Sequence, residues 1–116
     1  MKKFKVALVQ YDTTEPHNAE NTELAIRLIG EAKRENADFV LFPEGFITSY
    51  STPDICEGSR PLCEVEDDSE YQKWCHNALT EDGPELTAIR DTAKELGIGV
   101  CITGFSKGEK NGEHNL

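Results

Sequence analysis

Three apolar runs and two amphipathic stretches alternate along the chain. Residues 4–11, 38–42 and 98–106 are rich in aliphatic, aromatic and β-branched side chains, and turn-forming residues bound each run. Runs of this kind predict strands. Because apolar residues are nearly continuous within them, the pattern is typical of parallel strands that are covered on both faces.

The stretches between these runs, residues 20–35 and 84–96, carry apolar side chains at helical spacing and charged side chains on the other side. In the first stretch the apolar stripe consists of Leu24, Ala25, Leu28, Ile29 and Ala32. Strand, helix and strand in this order predict a right-handed βαβ unit with parallel strands. The sequence therefore predicts the α/β class, with three main strands and two main helices.

The predicted helices have recognisable ends. A side chain at Asn18 or Asn21 is predicted to cap the first helix by accepting a backbone N–H bond. Gly83-Pro84 indicates the start of the second helix, because proline is favoured at an early helical position. Gly97 is predicted to end that helix in the left-handed conformation.

Residues 47–82 differ from the rest of the chain in composition, with many polar residues, three cysteines and an acidic run. A stretch of this length is too long for a plain connection, and such segments are often active-site lids. Only residues 70–79 show a helical pattern. We interpret the stretch as a lid-like wall of a pocket, with a loose surface excursion as the alternative. After the third strand, Asn111-Gly112 predicts a hairpin tip within residues 107–113.

Pro43 ends the central apolar run, and Glu44 and Gly45 follow it. Open α/β sheets place their binding crevices at the carboxyl ends of their strands. Apolar surroundings would disfavour the charged form of this carboxylate, which is what a general base near neutral pH needs. The alternative is a solvated acid on an ordinary turn.

The segment Ala37-Asp38, followed by Leu41-Phe42-Pro43-Glu44 and preceded by the opening strand of residues 5–10, resembles the start of a nitrilase-superfamily protein. The likeness to these carbon–nitrogen hydrolases runs through most of the chain and is most specific in residues 5–50. It implies the N-terminal part of an α-β-β-α sandwich, so that residues 1–116 form one incomplete domain.

The resemblance also implies a function. Family members hydrolyse amide, carbamoyl or nitrile groups on small molecules with a Glu-Lys-Cys triad, and the residue matching the base is Glu44. Phe46 and Tyr50 are the predicted pocket-lining residues. The matching lysine and cysteine positions lie beyond residue 116, so we expect the chain alone to be inactive.

Other polar residues give weaker hypotheses. Cys101 lies within an apolar run and is predicted to be an inert core thiol. The four possible zinc ligands Cys56, Cys63, Cys75 and His76 lack the close cysteine pair of structural zinc sites, so no metal site is predicted. A rival to the hydrolase function is a non-catalytic, truncated paralogue that acts as a self-association or binding module, because one edge strand is left unpaired and one layer is left without a partner. A homo-oligomer is predicted.

Composition narrows the range of partners. The net charge of −10 disfavours nucleic acid and anionic membrane surfaces, which attract basic proteins. No apolar run approaches the ~20 residues of a membrane span, and the run after Lys5 is too short for a secretory signal. A cytoplasmic location with reduced cysteines is therefore expected.

Residues 10–16 contain no glycine, so no phosphate-cradling loop and no cofactor are predicted.

Overall fold

A computed structural model describes residues 3–13, 17–50 and 66–107. Within these ranges the chain forms three strands and three helices, which confirms the predicted α/β class. In chain order they are β1 (Val6–Leu8), α1 (Asn18–Arg34), β2 (Phe39–Leu41), α2 (Ser69–His76), α3 (Pro84–Leu96) and β3 (Gly99–Cys101). Each strand lies within a longer predicted run.

The three strands form one parallel sheet in the order β1-β2-β3, with β2 in the centre. Val40 of β2 stands opposite Ala7 on one side and Val100 on the other. Hydrogen bonding continues just past the strands, since the N–H of Phe42 donates to the carbonyl oxygen of Cys101 at 3.0 Å. The parallel arrangement predicted from the strand–helix–strand order is thus confirmed.

The core lies between α1, α3 and one face of the sheet. Four residues of the predicted stripe on α1 are buried there: Ala25, Leu28, Ile29 and Ala32. Val40 from β2 and Ile89 from α3 close against them, and both are almost completely inaccessible to solvent. Burial of this apolar surface is the main force that holds the helices on the sheet.

The opposite face of the sheet is open among the described residues. Val6 and Leu8 of β1 are 49% and 66% exposed, and Phe39 of β2 is 39% exposed. Cys101 is exposed too. Among the described residues, the prediction that it is a core thiol is therefore wrong. The strands were predicted to be covered on both faces, but the described helices cover only one. A continuous apolar strand indicates that both of its faces can be buried, but it does not indicate which segment of the protein covers each face.

The helix ends differ from prediction in one case. Helix α1 begins after His17 without a side-chain cap, so Asn18 and Asn21 lie inside the helix and not at its N-cap. Their side-chain amides donate to the carbonyl oxygens of Asn77 and Ile47. Helix α3 follows the prediction, with Gly83 before its first residue and Gly97 after its last at φ 64°. The predicted short helix within residues 70–79 is confirmed as α2.

Two predicted segments lie partly or largely outside the described residues. Residues 51–65 of the lid-like stretch are outside them, as are residues 108–113 of the predicted hairpin tip. None of the helices in the described ranges has the length and the apolar character that crossing a membrane requires. That residues 1–116 form a single incomplete domain stays a prediction.

Because only one face of the sheet is buried, the same substitution on the two faces should have different effects on the free energy of unfolding. Val40→Ala should lower the free energy of unfolding by about 2 to 3 kcal/mol, because it removes two buried methyl groups and leaves a cavity. Val6→Ala, on the open face, should change it by no more than about 0.5 kcal/mol. Urea titrations followed by circular dichroism measure both values. Equal losses would mean that the open face is covered in solution.

Candidate functional site

Glu44 lies in a turn that begins as the chain leaves β2, at the carboxyl end of the sheet. The aromatic residues on either side of it, Phe42 and Phe46, are buried, and their ring centroids are 4.9 Å apart. Two such rings hold the base of the turn in the core. The strand-end position predicted for Glu44 is therefore the observed one.

Gly45 gives the turn its shape. Its φ of 69° is in the left-handed region, which glycine adopts without strain. A Cβ built on Gly45 would lie 3.3 Å from Cδ2 of Tyr50, so the tyrosine ring rests against this glycine. The chain can therefore reverse immediately after Glu44, and Tyr50 is brought beside the residue that follows the carboxylate.

The segment that follows β3 holds one side of the turn. The N–H of Gly45 donates to Oγ1 of Thr103 at 2.8 Å, and the N–H of Ile47 donates to the carbonyl oxygen of Thr103 at 3.2 Å. In return, the N–H of Phe105 donates to Oγ1 of Thr48 at 3.0 Å. Both backbone and side-chain groups thus connect the turn to this segment.

Residues that follow β1 and residues of α1 hold the other side. The hydroxyl of Thr13 donates to the carbonyl oxygen of Phe46 at 3.1 Å, and the hydroxyl of Ser49 donates to the carbonyl oxygen of Thr13. The side-chain amide of Asn21 donates to the carbonyl oxygen of Ile47 at 3.0 Å in a buried position. Asn21, which was one of the two predicted caps, thus lies inside α1 and binds the turn.

The side chain of Glu44 is exposed. The apolar enclosure predicted from the sequence is not formed by the described residues, and much of the predicted wall falls in residues 51–65. Phe46 is 1% exposed and forms part of the core below the turn, whereas Tyr50 is 69% exposed at the surface. Of the two predicted pocket-lining residues, Tyr50 is thus the one on the accessible side.

An aromatic row extends from Tyr50 across the strand ends. Its ring centroid is 6.3 Å from that of Phe105, which is 5.2 Å from that of Trp74. Trp74 is in turn 6.1 Å from Tyr71 on the same helix, α2. This row was not predicted from the sequence, although the parallel order of β2 and β3 brings Phe105 to the same edge as Glu44.

The cysteines do not assemble into a site among the described residues. Cys75 is half-buried on α2 and Cys101 is exposed on β3, and both are free thiols. Cys56 and Cys63 lie outside the described residues. Within residues 3–13, 17–50 and 66–107, no three His, Cys, Asp or Glu side chains are grouped so that they could hold a metal ion.

Comparison with known proteins gives consistent matches. Residues 5–115 match the carbon–nitrogen hydrolase family. The chain is 31% identical to a cyanide hydratase from Armillaria gallica over 90% of its own length and 28% of the relative. It is 31% identical to a nitrilase from Penicillium rubens, over 91% and 30% of the two chains. An arylacetonitrilase from Hypocrea virens is 36% identical over 77% and 25%. The chain thus spans 25–30% of the length of these relatives.

The geometry of the turn predicts unequal effects of alanine at two glycines with similar φ. Gly97→Ala should cost about 1 to 2 kcal/mol, the strain of a left-handed alanine, because no atom lies within 4 Å of its Cβ. Gly45→Ala should cost more, because Tyr50 must also move. Thermal unfolding of both variants gives the comparison, and an equal loss at the two positions would contradict the contact between Gly45 and Tyr50.

Proposed function

Because the chain belongs to the carbon–nitrogen hydrolase family, we propose that it carries the general base of a cysteine-dependent amidase or nitrilase, and that Glu44 is this base. The lysine and the cysteine of the triad are proposed to come from sequence beyond residue 116. The observation that carries the proposal is the family match over residues 5–115, together with the position of Glu44 in the turn that follows the central strand.

In the proposed reaction, Glu44 takes the proton of the cysteine thiol as the sulfur attacks the substrate carbon. With an amide, it then returns the proton to the nitrogen, the C–N bond breaks and ammonia leaves a thioester. With a nitrile, the proton goes to the nitrogen to give a thioimidate, and addition of water with loss of ammonia leads to the same thioester. Water then hydrolyses the thioester to the acid and frees the thiol, while the lysine stabilises the negative charge that develops at each addition. A base can do this only within hydrogen-bond reach of the proton that it moves. The hydrogen bonds on both sides of the turn support the role, because they fix the backbone at Gly45 and Ile47 while the carboxylate stays accessible.

The proposed substrate is a small molecule with a nitrile group, with amides and carbamoyl compounds as the other possibilities. The names of three relatives support this order, since they are a nitrilase, an arylacetonitrilase and a cyanide hydratase. Tyr50 is proposed to line the pocket, because its ring rests on Gly45 beside the carboxylate. Phe46 is proposed to support the pocket floor from the core. The proposal includes a cytoplasmic location.

The role of Glu44 is tested by Glu44→Gln in the protein translated from the complete reading frame. The substitution keeps the shape of the side chain and removes its basicity. It should lower kcat for nitrile hydrolysis by about 10²- to 10⁴-fold, the usual contribution of general acid–base catalysis. Ammonia release measures the rate.

Glu31→Gln is the matched control, because Glu31 is exposed on α1 and should leave kcat unchanged. Residues 1–116 by themselves should release no ammonia from nitriles or simple amides. Wild-type kcat in the Glu44→Gln variant would refute the proposed base, and turnover by purified residues 1–116 would refute the need for a lysine and a cysteine from elsewhere.

A second candidate function is a non-catalytic module that self-associates. The observation that favours it is the open sheet face, on which Phe4, Val6 and Leu8 are between 49% and 77% exposed. Contiguous exposed apolar surface of this kind is typical of interaction sites. In this alternative, the described sheet pairs with a second copy of the chain.

The alternative predicts that residues 1–116 form a homodimer in light scattering coupled to size exclusion. Leu8→Lys should shift the equilibrium toward monomer, because it places a charge on the apolar face. Thr87→Lys adds the same charge at an exposed position of α3 and should leave the dimer intact. A monomer at high concentration in the unmodified chain would exclude the self-association module.

A further inference from the structure

Thr103 binds the turn through both its side chain and its backbone. Its Oγ1 accepts a hydrogen bond from the N–H of Gly45 at 2.8 Å, and its carbonyl oxygen accepts one from the N–H of Ile47 at 3.2 Å. Gly45 directly follows Glu44 in sequence. A single residue therefore fixes the chain one peptide unit beyond the proposed base.

We propose that Thr103 is a positioning residue for Glu44, and that its hydroxyl holds the turn in the conformation that directs the carboxylate. The inference rests on the proposed role of Glu44 as a general base. It goes beyond that role because it assigns the orientation of the base to a residue 59 positions away in the chain, on the segment after β3.

The need for such a bond follows from Gly45. Glycine gives the turn access to the left-handed region, but it also gives the backbone more freedom than any other residue. The buried rings of Phe42 and Phe46 keep the turn packed against the core, but apolar contact is not directional and does not select one backbone orientation. A hydrogen bond to the Gly45 N–H is directional, and it selects one orientation of the peptide that joins Glu44 to Gly45.

The chemistry of threonine suits the task. Two heavy atoms on Cβ restrict χ1, so the hydroxyl is held in place by its own backbone. That backbone continues β3, and its carbonyl oxygen is already bound by Ile47. The position of Oγ1 therefore depends on β3, which Thr103 follows. The position of Glu44 depends on β2 of the same sheet. Base and positioning group are thus supported by adjacent strands.

The test compares Thr103→Val with Thr103→Ser. Valine keeps the shape of the side chain without an acceptor, and serine keeps the hydroxyl. Amide hydrogen exchange of Gly45, followed by ¹⁵N NMR, should be roughly two- to tenfold faster in the valine variant, as expected for the loss of one hydrogen bond. The serine variant should exchange at close to the wild-type rate.

Thr92→Val is the matched control. Its hydroxyl donates to the carbonyl oxygen of Ala88 at 2.9 Å within α3, so it removes one threonine hydrogen bond away from the turn. It should leave the Gly45 exchange rate unchanged. If Gly45 exchanges at the wild-type rate in Thr103→Val, or if serine behaves like valine, the hydroxyl does not hold the turn and the inference is overturned.

The kinetic arm uses the protein translated from the complete reading frame. Thr103→Val should lower kcat by about 10- to 100-fold, because small displacements of a catalytic group are costly, while KM stays unchanged. Thr103→Ser should restore most of the rate. An active wild type with unchanged kcat in Thr103→Val would refute the positioning role. Inactive wild-type protein would instead refute the proposed function, and the exchange measurement would still decide whether the hydroxyl holds the turn.

Discussion

Pairing of β2 with a strand on each side determines where Glu44 lies and what surrounds its backbone. The ladder runs along Phe39–Leu41 on both sides, and hydrogen bonding continues to Phe42. A chain that leaves a central strand emerges between the segments that leave its two neighbours. Thr13 follows β1 and Thr103 follows β3, and both bind the turn. The surroundings of the turn are therefore a consequence of strand order.

Two kinds of interaction hold this turn, and their magnitudes assign them different tasks. Burial of a large apolar side chain such as Phe46 contributes about 1.5 to 3 kcal/mol, whereas one hydrogen bond contributes about 0.5 to 1.5 kcal/mol net. The aromatic residues therefore dominate the free energy that keeps the turn against the core. The hydrogen bonds contribute less energy but are directional, so they decide the conformation. Leaving the buried carbonyl oxygen of Ile47 without the Asn21 amide would add a desolvation penalty.

How far the sequence could predict this structure depends on the range of each signal. Periodicity within one segment was enough for α1 and α3, and the strand stop at Pro43 was enough to locate Glu44. The exposure of Cys101 was not predictable in the same way, because it depends on whether another segment covers the sheet. The start of α1 at Asn18, which places Asn21 inside the helix, and the bond of Asn21 to Ile47 depend on tertiary contacts that no local pattern contains. Thr103 was missed for the same reason, since its partner is far away in sequence.

The open sheet face and the exposed carboxylate are separate surfaces, and this separation bears on the two candidate functions. Side chains such as Leu8 project from the face of the sheet, whereas Glu44 lies beyond the carboxyl ends of the strands. Covering the face buries apolar area and stabilises the fold, but it does not by itself enclose Glu44. Enclosure requires groups that cross the strand ends, on the side where Tyr50 and Phe105 already lie. Association through the face is therefore compatible with both functions. Only chemistry that depends on Glu44 separates the hydrolase from the self-association module.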